Sequence, residues 1–328
     1  MKAKLTLLFL LFTLLSTAQN TNIAIIGCHV QSRPAPTFDY LVENVQPKYS
    51  IWVGDNVYAD TKEDSTHLEN QLAILAAKKG FQALKTSSQF FVTWDDHDFG
   101  LNNAGGDYPL KEVHKTVHRD FWELEEEIPE DRDGVYYSHI TEEENGKTIQ
   151  FIMLDGRYNR DKPSKRNGTA LGEEQWQWLE EELKKEADLR FVVSGYQVLL
   201  NRPTRWESWT KIGKEKKKLF QTIKDADAKG VVFITGDQHY VEVLKAKKDK
   251  IGYDTYEIMA SGINQTEKAG LAHNRVAGPD LTYNSASVIE VQWEDKESKD
   301  AHILFTVTNV ENGDTTLTYE IPFENIGL

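Results

Sequence analysis

The chain has 328 residues, a formal charge of −14 and a single cysteine, Cys28. That length supplies ample material for a core, the acidic balance argues against generalised nucleic-acid binding, and one cysteine excludes an internal disulfide. Lys2 and Lys4, the apolar run Leu5 to Leu15 and the small residues Ser16-Thr17-Ala18 predict a secretory signal peptide over residues 1–18. That run is too short for a comfortable membrane span, and no later stretch approaches about 20 apolar residues. The expectation is an exported chain, periplasmic or secreted, with no transmembrane segment once mature and with residues 19–328 forming one domain.

The continuous apolar run Asn22 to Cys28 predicts a strand covered on both faces, ending in Gly27-Cys28-His29. Thr37 to Val45 predicts a short helix. Ile51 to Val53 predicts a second buried strand, which breaks at Gly54 and delivers Asp55, Asn56, Tyr58 and Asp60 within six residues. Thr66-His67-Leu68-Glu69 fits a capping box opening a helix to about Lys79. Gln89 to Trp94 predicts a third strand, opening directly into Asp95-Asp96-His97-Asp98-Phe99-Gly100. Residues 109–126 read as a helix with Val113, Val117, Phe121 and Leu124 on its apolar face. Gly134–His139 and Lys147–Leu154 read as paired strands joined by the polar tip Glu142 to Gly146, and lead to Asp155-Gly156-Arg157. Arg157 and Arg160 suit a fork onto a phosphate.

An amphipathic helix is expected at Gly172–Glu186 and a basic one, its lysines a solvated face, at Gly213–Lys229, with two buried strands at Arg190–Ser194 and Gly230–Thr235. The last breaks into Gly236-Asp237-Gln238-His239. From Tyr256 the pattern alternates, predicting strands at Tyr256–Ser261, Ala286–Trp293, Ile303–Val310 and Thr315–Ile321, with Asn312-Gly313-Asp314 as a hairpin turn.

Each strand end alone is weak, since a polar turn is the commoner reading of Gly-Asp-Asn. Together they bring thiolate, phenolate, carboxylate and imidazole to one sheet edge, the contents a two-metal hydrolytic site needs. Asp55 is the natural bridge, because a carboxylate has lone pairs enough for two ions. Cys28 stays open at this level between a thiolate ligand and a small buried hydrophobe.

The motifs Gly27-Cys28, Trp52 to Asp60, Trp94 to Gly100, Asp155-Gly-Arg157, Leu171 to Leu179, Ser194 to Gln197, Gly236 to His239 and Ser261-Gly262 resemble the alkaline phosphatase D (PhoD-like) metallophosphatases. That family lies within the calcineurin-like metallophosphoesterases and is distantly similar to the purple acid phosphatases. The resemblance implies an α/β fold, a four-layer αββα sandwich of two mixed sheets flanked by helices. It also implies hydrolysis of phosphate esters at a binuclear or larger metal site, with iron beside calcium or another divalent cation. By resemblance Cys28, Asp55, Tyr58 and His239 hold the first metal, and Asp55 bridges to a second held by Asp96 and Asp237, with Asp95 able to trade places with Asp96. A hydroxide on the metals would attack phosphorus, His97 would be the general acid, Asp98 its orienter, and Arg157 would steady the developing charge.

The chain departs from the family at Asn102-Asn103, where Asn-Asp is usual, which weakens any expectation of a calcium ligand at 103. Gln238 and Asn264 also differ from the commoner residues. Expected substrates are small phosphate esters, lipids or polymers. The same residues serve a phosphodiesterase or phospholipase D-type activity, and a third reading is an exported, metal-stabilised binding protein without catalysis.

Overall fold

The computed structural model describes residues 20–162, 165, 168–202, 207–293 and 301–328. The expected signal peptide lies outside them. In chain order the strands are β1 (Thr21–Ile26), β2 (Tyr49–Val53), β3 (Gln89–Thr93), β4 (Tyr137–Glu142), β5 (Thr148–Met153), β6 (Leu189–Ser194), β7 (Val231–Thr235), β8 (Val241–Ala246), β9 (Thr255–Ala260), β10 (Arg275–Asp280), β11 (Ser285–Gln292), β12 (His302–Asn309) and β13 (Thr315–Pro322). The α-helices are α1 (Pro36–Tyr40), α2 (His67–Ala76), α3 (Lys79–Ser87), α4 (Asp96–Phe99), α5 (Lys111–Phe121), α6 (Gly172–Glu182) and α7 (Gly213–Asp225).

Two mixed sheets result, as expected. One is ordered β13-β12-β11-β1-β2-β3, with β1, β2 and β3 parallel and β11, β12 and β13 antiparallel. The other is ordered β10-β8-β9-β7-β6-β5-β4, with β5, β6, β7 and β9 parallel at its centre. The continuous apolar runs at β1, β2 and β7 mark strands with both faces covered, and nearly every residue in them is buried. Phe91 of β3 stacks on Phe151 of β5 with ring centroids 3.9 Å apart. Polar bonds cross the same interface: Tyr137 Oη accepts from the Val92 N–H at 2.8 Å, and Thr93 Oγ1 donates to the Leu154 carbonyl at 2.8 Å. On the outer side of the first sheet Trp52 packs on Phe38, Phe81 and Trp122. Against the second, α6 is tied to β5 by Gln150 Nε2 donating to the Glu182 carbonyl at 3.1 Å. The parallel strands of both sheets deliver their C-terminal ends to one edge, where α/β proteins bind ligands.

Several sequence expectations need correction. Thr66 makes no capping bond; its hydroxyl instead donates to Asp64 at 2.7 Å, and α2 stops at Ala76. The helix α3 and the strands β8 and β10 carried no pattern read from the sequence. The helix expected over 109–126 is shorter; Val117, Phe121 and Leu124 lie in or against the core as expected, but Val113 does not and polar residues go in beside them. Val113 is 41 % exposed, while His114, Lys115 and His118 are buried. Two of them have polar work: Lys115 Nζ donates to the Glu130 and Arg132 carbonyls at 3.1 and 2.8 Å, and a ring nitrogen of His114 lies 2.9 Å from the Phe99 carbonyl; His118 packs against Trp94 and Trp122. The stretch Tyr256 to Ser261 alternates in sequence but is buried on both faces between β7 and β8. Its Glu257 is satisfied by the N–H groups of Val198 and Leu199 at 3.1 and 2.5 Å and by the Thr235 hydroxyl at 2.5 Å.

Candidate metal centre

The strand ends meet because glycine lets them. At Gly54, with φ +95°, a Cβ would lie 2.6 Å from the Asp95 nitrogen; at Gly195 it would lie 2.5 Å from Asp95 Oδ1. Immediately beyond these turns Cys28, Asp55, Asp237 and His239 adopt positive φ values of 50°, 49°, 75° and 56°. Non-glycine residues visit this region uncommonly, and such backbone clusters where function over-determines it. Cross-strand bonds hold it here: Cys28 N–H to the Gly54 carbonyl at 3.1 Å, His29 N–H to the Asp55 carbonyl at 2.9 Å, and His239 N–H to Ser261 Oγ at 2.9 Å.

Three groups of donor atoms form, each with its members within 4.8 Å of one another: Cys28, Asp55 and His239; Asp55, Asp96 and His97; and Asp95, Asp96 and Asp237. Asp55 joins the first group to the second, and Asp96 the second to the third. Tyr58 joins the first group as well, its Oη lying 2.9 Å from His239 Nε2. All the sequence-predicted ligands therefore converge. Both Asp95 and Asp96 present an oxygen, Asp95 Oδ2 and Asp96 Oδ1, that is buried without a hydrogen-bond partner.

The electrostatics describe a site short of positive charge. Burial, then the carboxylates Asp96, Asp95, Asp98 and Asp237, push Asp55 well above the usual carboxyl range. Burial and the Asp95 and Asp96 carboxylates raise Asp237 against the pull of Arg157, and burial and Asp55 raise the Cys28 thiol. Asp96 is the exception: burial opposes ionisation, but the Arg157 guanidinium, His97 and the Asn103 N–H hold it below the ordinary value. Buried carboxylates that repel one another and keep oxygens unpaired fit bound cations, which supply the missing charge. The donor chemistry divides accordingly. Thiol, phenol and imidazole beside a carboxylate suit iron, while the all-carboxylate group suits a hard cation such as calcium.

Around the donors, three sequence assignments change. Asp98 does not touch the His97 ring. Its carboxylate accepts the backbone N–H groups of Asp95, Asn56 and Asp55 at 2.7, 3.1 and 3.3 Å, and the Asn56 amide at 2.7 Å, so it braces the loop that carries Asp55. The carboxylate on His97 is Asp60, 2.7 Å from Nδ1 and itself fixed by the Asn102 N–H at 2.7 Å. Burial lowers the charge affinity of His97, yet the Asp60 hydrogen bond and the Asp96 charge raise it on balance. Arg157, expected at the substrate, is fully buried. Its Nε binds Asp95 Oδ1 at 2.6 Å, Nη1 lies 2.5 Å from Glu207 and Nη2 lies 3.8 Å from Asp96. Arg160 also binds Glu207, so the pair of arginines grips a carboxylate of the chain rather than an open phosphate site. Asn103 contributes its backbone N–H, not its side chain, to Asp96 Oδ2 at 2.5 Å, from a left-handed backbone conformation (φ +59°) that asparagine tolerates.

Sequence reasoning missed Glu207 and Gln265. Gln265 Nε2 donates to Tyr58 Oη and lies 3.3 Å from His239 Nε2, although 207 residues separate it from Tyr58. Neither residue sits in a strand-end motif, so no local pattern marks it.

An α/β sandwich with a carboxylate-rich donor cluster at the joined C-terminal strand ends is the architecture of a metal-assisted phosphoesterase. Residues 26–306 match the PhoD-like phosphatase family, and the chain belongs to it. Among solved structures, one described as PhoD superposes with a TM-score of 0.68 at 17 % identity, covering 92 % of this chain and 71 % of its own. GAP50, described as the anchor in the inner membrane complex of Plasmodium, superposes with a TM-score of 0.61 at 16 % identity, over 93 % and 89 % of the two chains. At these identities the likeness is one of fold. Among curated proteins no sequence matches.

Proposed function

We propose that the chain is an exported, metal-dependent hydrolase of phosphate esters. The observation carrying this is that Asp55 and Asp96 link three donor groups into one buried, cation-deficient cluster with His97 at its edge. Cys28, Asp55, Tyr58 and His239 would hold one cation, and Asp55, Asp96 and Asp237 a second, with Asp95 supporting the latter. Iron and calcium are the pair the donors suit. When bound, such cations activate a water nucleophile and offset charge on the phosphoryl oxygens.

The chain's own groups do the rest. His97 is held through Nδ1 by Asp60, which leaves Nε2 to give a proton to the departing alkoxide oxygen. Tyr58 packs on the His97 ring at a centroid distance of 4.4 Å and limits its swing. Arg157 acts from behind, aiming Asp95 and Asp96 and helping to hold Asp96 below the ordinary carboxyl range. Asp98 and Asn56 lock the Asp55 turn.

The GAP50 likeness supports a second reading, in which the fold serves as a non-catalytic anchor. His97 with its own carboxylate favours catalysis, because a purely structural metal site is closed and needs no proton donor. Hydrolysis of 4-nitrophenyl phosphate and bis(4-nitrophenyl) phosphate, with iron and calcium supplied, tests the proposal. Turnover of the monoester identifies a phosphatase and turnover of the diester a phosphodiesterase. Metal binding without either sustains the anchor reading.

A further inference from the structure

A second recess opens beside the metal centre, and nothing in the proposed chemistry uses it. Strand β11 runs antiparallel to β1, pairing Ser287 with Ile25 and Val288 with Ala24. The residues just before β11 must therefore lie past the C-terminal end of β1, over the loop that follows Cys28. There Tyr283 and Asn284 face Arg33, Pro34, Asn264 and Gln265 across an open cleft of about 500 Å³.

Its inner wall is continuous with the donors. Gln265 reaches Tyr58 and lies 3.3 Å from His239, and the Glu267 N–H donates to the His239 carbonyl at 3.0 Å. The wall is also rigid. Asn264 accepts the Val30 N–H at 2.9 Å and donates to the Val30 and Pro34 carbonyls at 3.0 and 3.3 Å, stapling two loops together.

The outer wall is chemically distinct from the donors. The Tyr283 ring is 53 % exposed, a large aromatic face turned to solvent at the mouth of a site. Arg33 is exposed too, but one arm is fixed, with Nη1 donating to the Asn264 carbonyl at 3.1 Å. A guanidinium anchored at one nitrogen keeps its other N–H groups for a ligand, in a chain whose net charge is −14. An exposed ring beside a pre-positioned guanidinium is the equipment for a planar ring with hydrogen-bond acceptors, stacked on one and bonded by the other.

Building on the hydrolase reading, we infer that this cleft is the subsite for the organic group of the substrate, and that it selects phosphate esters of nucleoside type. The phosphoryl group lies at the donor cluster, the heteroaromatic ring stacks on Tyr283, and Arg33 donates to a ring carbonyl. A glycerol-type ester has no ring and uses neither residue.

The test compares thymidine 5′-phosphate with glycerol 3-phosphate, each also as its methyl diester, on the metal-loaded full chain, with products separated by chromatography. Wild-type protein should favour the thymidine ester in kcat/KM by about tenfold or more, the scale of one base stacked on an aromatic ring. Y283A and R33A should each reduce that selectivity ratio about tenfold, acting mainly through KM, and Y283F should restore the stacking part. Equal rates on the two esters, or a Y283A loss shared equally by both, overturns the inference. Inert thymidine and glycerol esters alongside active nitrophenyl esters overturn it while sparing the hydrolase reading. Silence on the nitrophenyl esters as well overturns both.

Discussion

The His97–Asp60 pair is where single residues divide catalysis from support. A proton donor matters most when the departing alcohol is a poor leaving group, because nitrophenolate leaves without help. His97→Ala should therefore slow an alkyl phosphate ester by about 10²- to 10⁴-fold, and the nitrophenyl ester far less, at unchanged metal content. Equal losses on the two esters would make His97 a ligand or scaffold instead. Asp60→Asn should cost about 10- to 100-fold on the alkyl ester, as removal of an orienting carboxylate usually does. Arg157 belongs to the same scale with a different signature. It is fully buried among Asp95, Asp96 and Glu207, so its loss strands carboxylates inside the protein. Arg157→Met should destabilise the fold by about 3–5 kcal/mol, read as a lower denaturant midpoint. Both roles were out of reach of local sequence. Asp60 and Asp98 are each near His97 along the chain or in space, and only the path of the loop after β2 decides which touches it.

At the scale of elements, the turns after β2 and β6 decide how closely the two sheets approach at the site. Gly54→Ala would place a methyl 2.6 Å from the Asp95 backbone while holding φ at +95°. It should cost at least about 1–3 kcal/mol of stability and displace Asp55 from its ion, so metal content per chain should fall together with the melting temperature. Helix α5 contributes one distinct part of the pH dependence of stability. Burial lowers His118 from 6.5 to about 3; it packs against Trp94 and Trp122 with no charge to stabilise the imidazolium. Between those two values the unfolded chain holds a proton that the folded chain refuses, so unfolding gains as pH falls. The slope from this group approaches about 1.4 kcal/mol per pH unit below pH 6. His118→Phe should flatten the decline in melting temperature between pH 6 and pH 4; an unaltered slope would show that other groups set it. The same helix shows what hydrophobic periodicity leaves out. It measures only apolar gain, whereas His114 and Lys115 go inside to bond carbonyls that would otherwise be unpaired.

For the whole molecule, the donor cluster is a fold-spanning contact: Cys28 comes from β1, Asp55 and Tyr58 from the β2 turn, Asp96 from the β3 turn, and Asp237 and His239 from the β7 turn. Cations bound there connect both sheets and bind the unfolded chain far less well. Chelation should therefore abolish turnover and lower the melting temperature together, and returning iron and calcium should restore both. At 100-fold excess over the dissociation constant a single ion contributes about 2.7 kcal/mol. Retained activity after complete metal removal would exclude the proposed chemistry.

Much of this protein was legible in the chain itself. Buried parallel strands announce themselves as continuous apolar runs, and a ligand directly after such a run is carried to the sheet edge by geometry alone. Gly27-Cys28, Gly54-Asp55, Trp94 to Gly100 and Gly236 to His239 could be read as one site before any coordinates, and the family resemblance those motifs carry implied the αββα fold. The tertiary structure decided what local order leaves open. It assigned Asp60 rather than Asp98 to His97, buried Arg157 and Arg160 on Glu207, brought Gln265 to Tyr58 and set Tyr283 beside Arg33. Each brings together residues far apart in sequence, through loops whose course follows from the packing of two sheets. Short-range periodicity carries no record of such meetings, because the energy that selects them is released only when the sheets close.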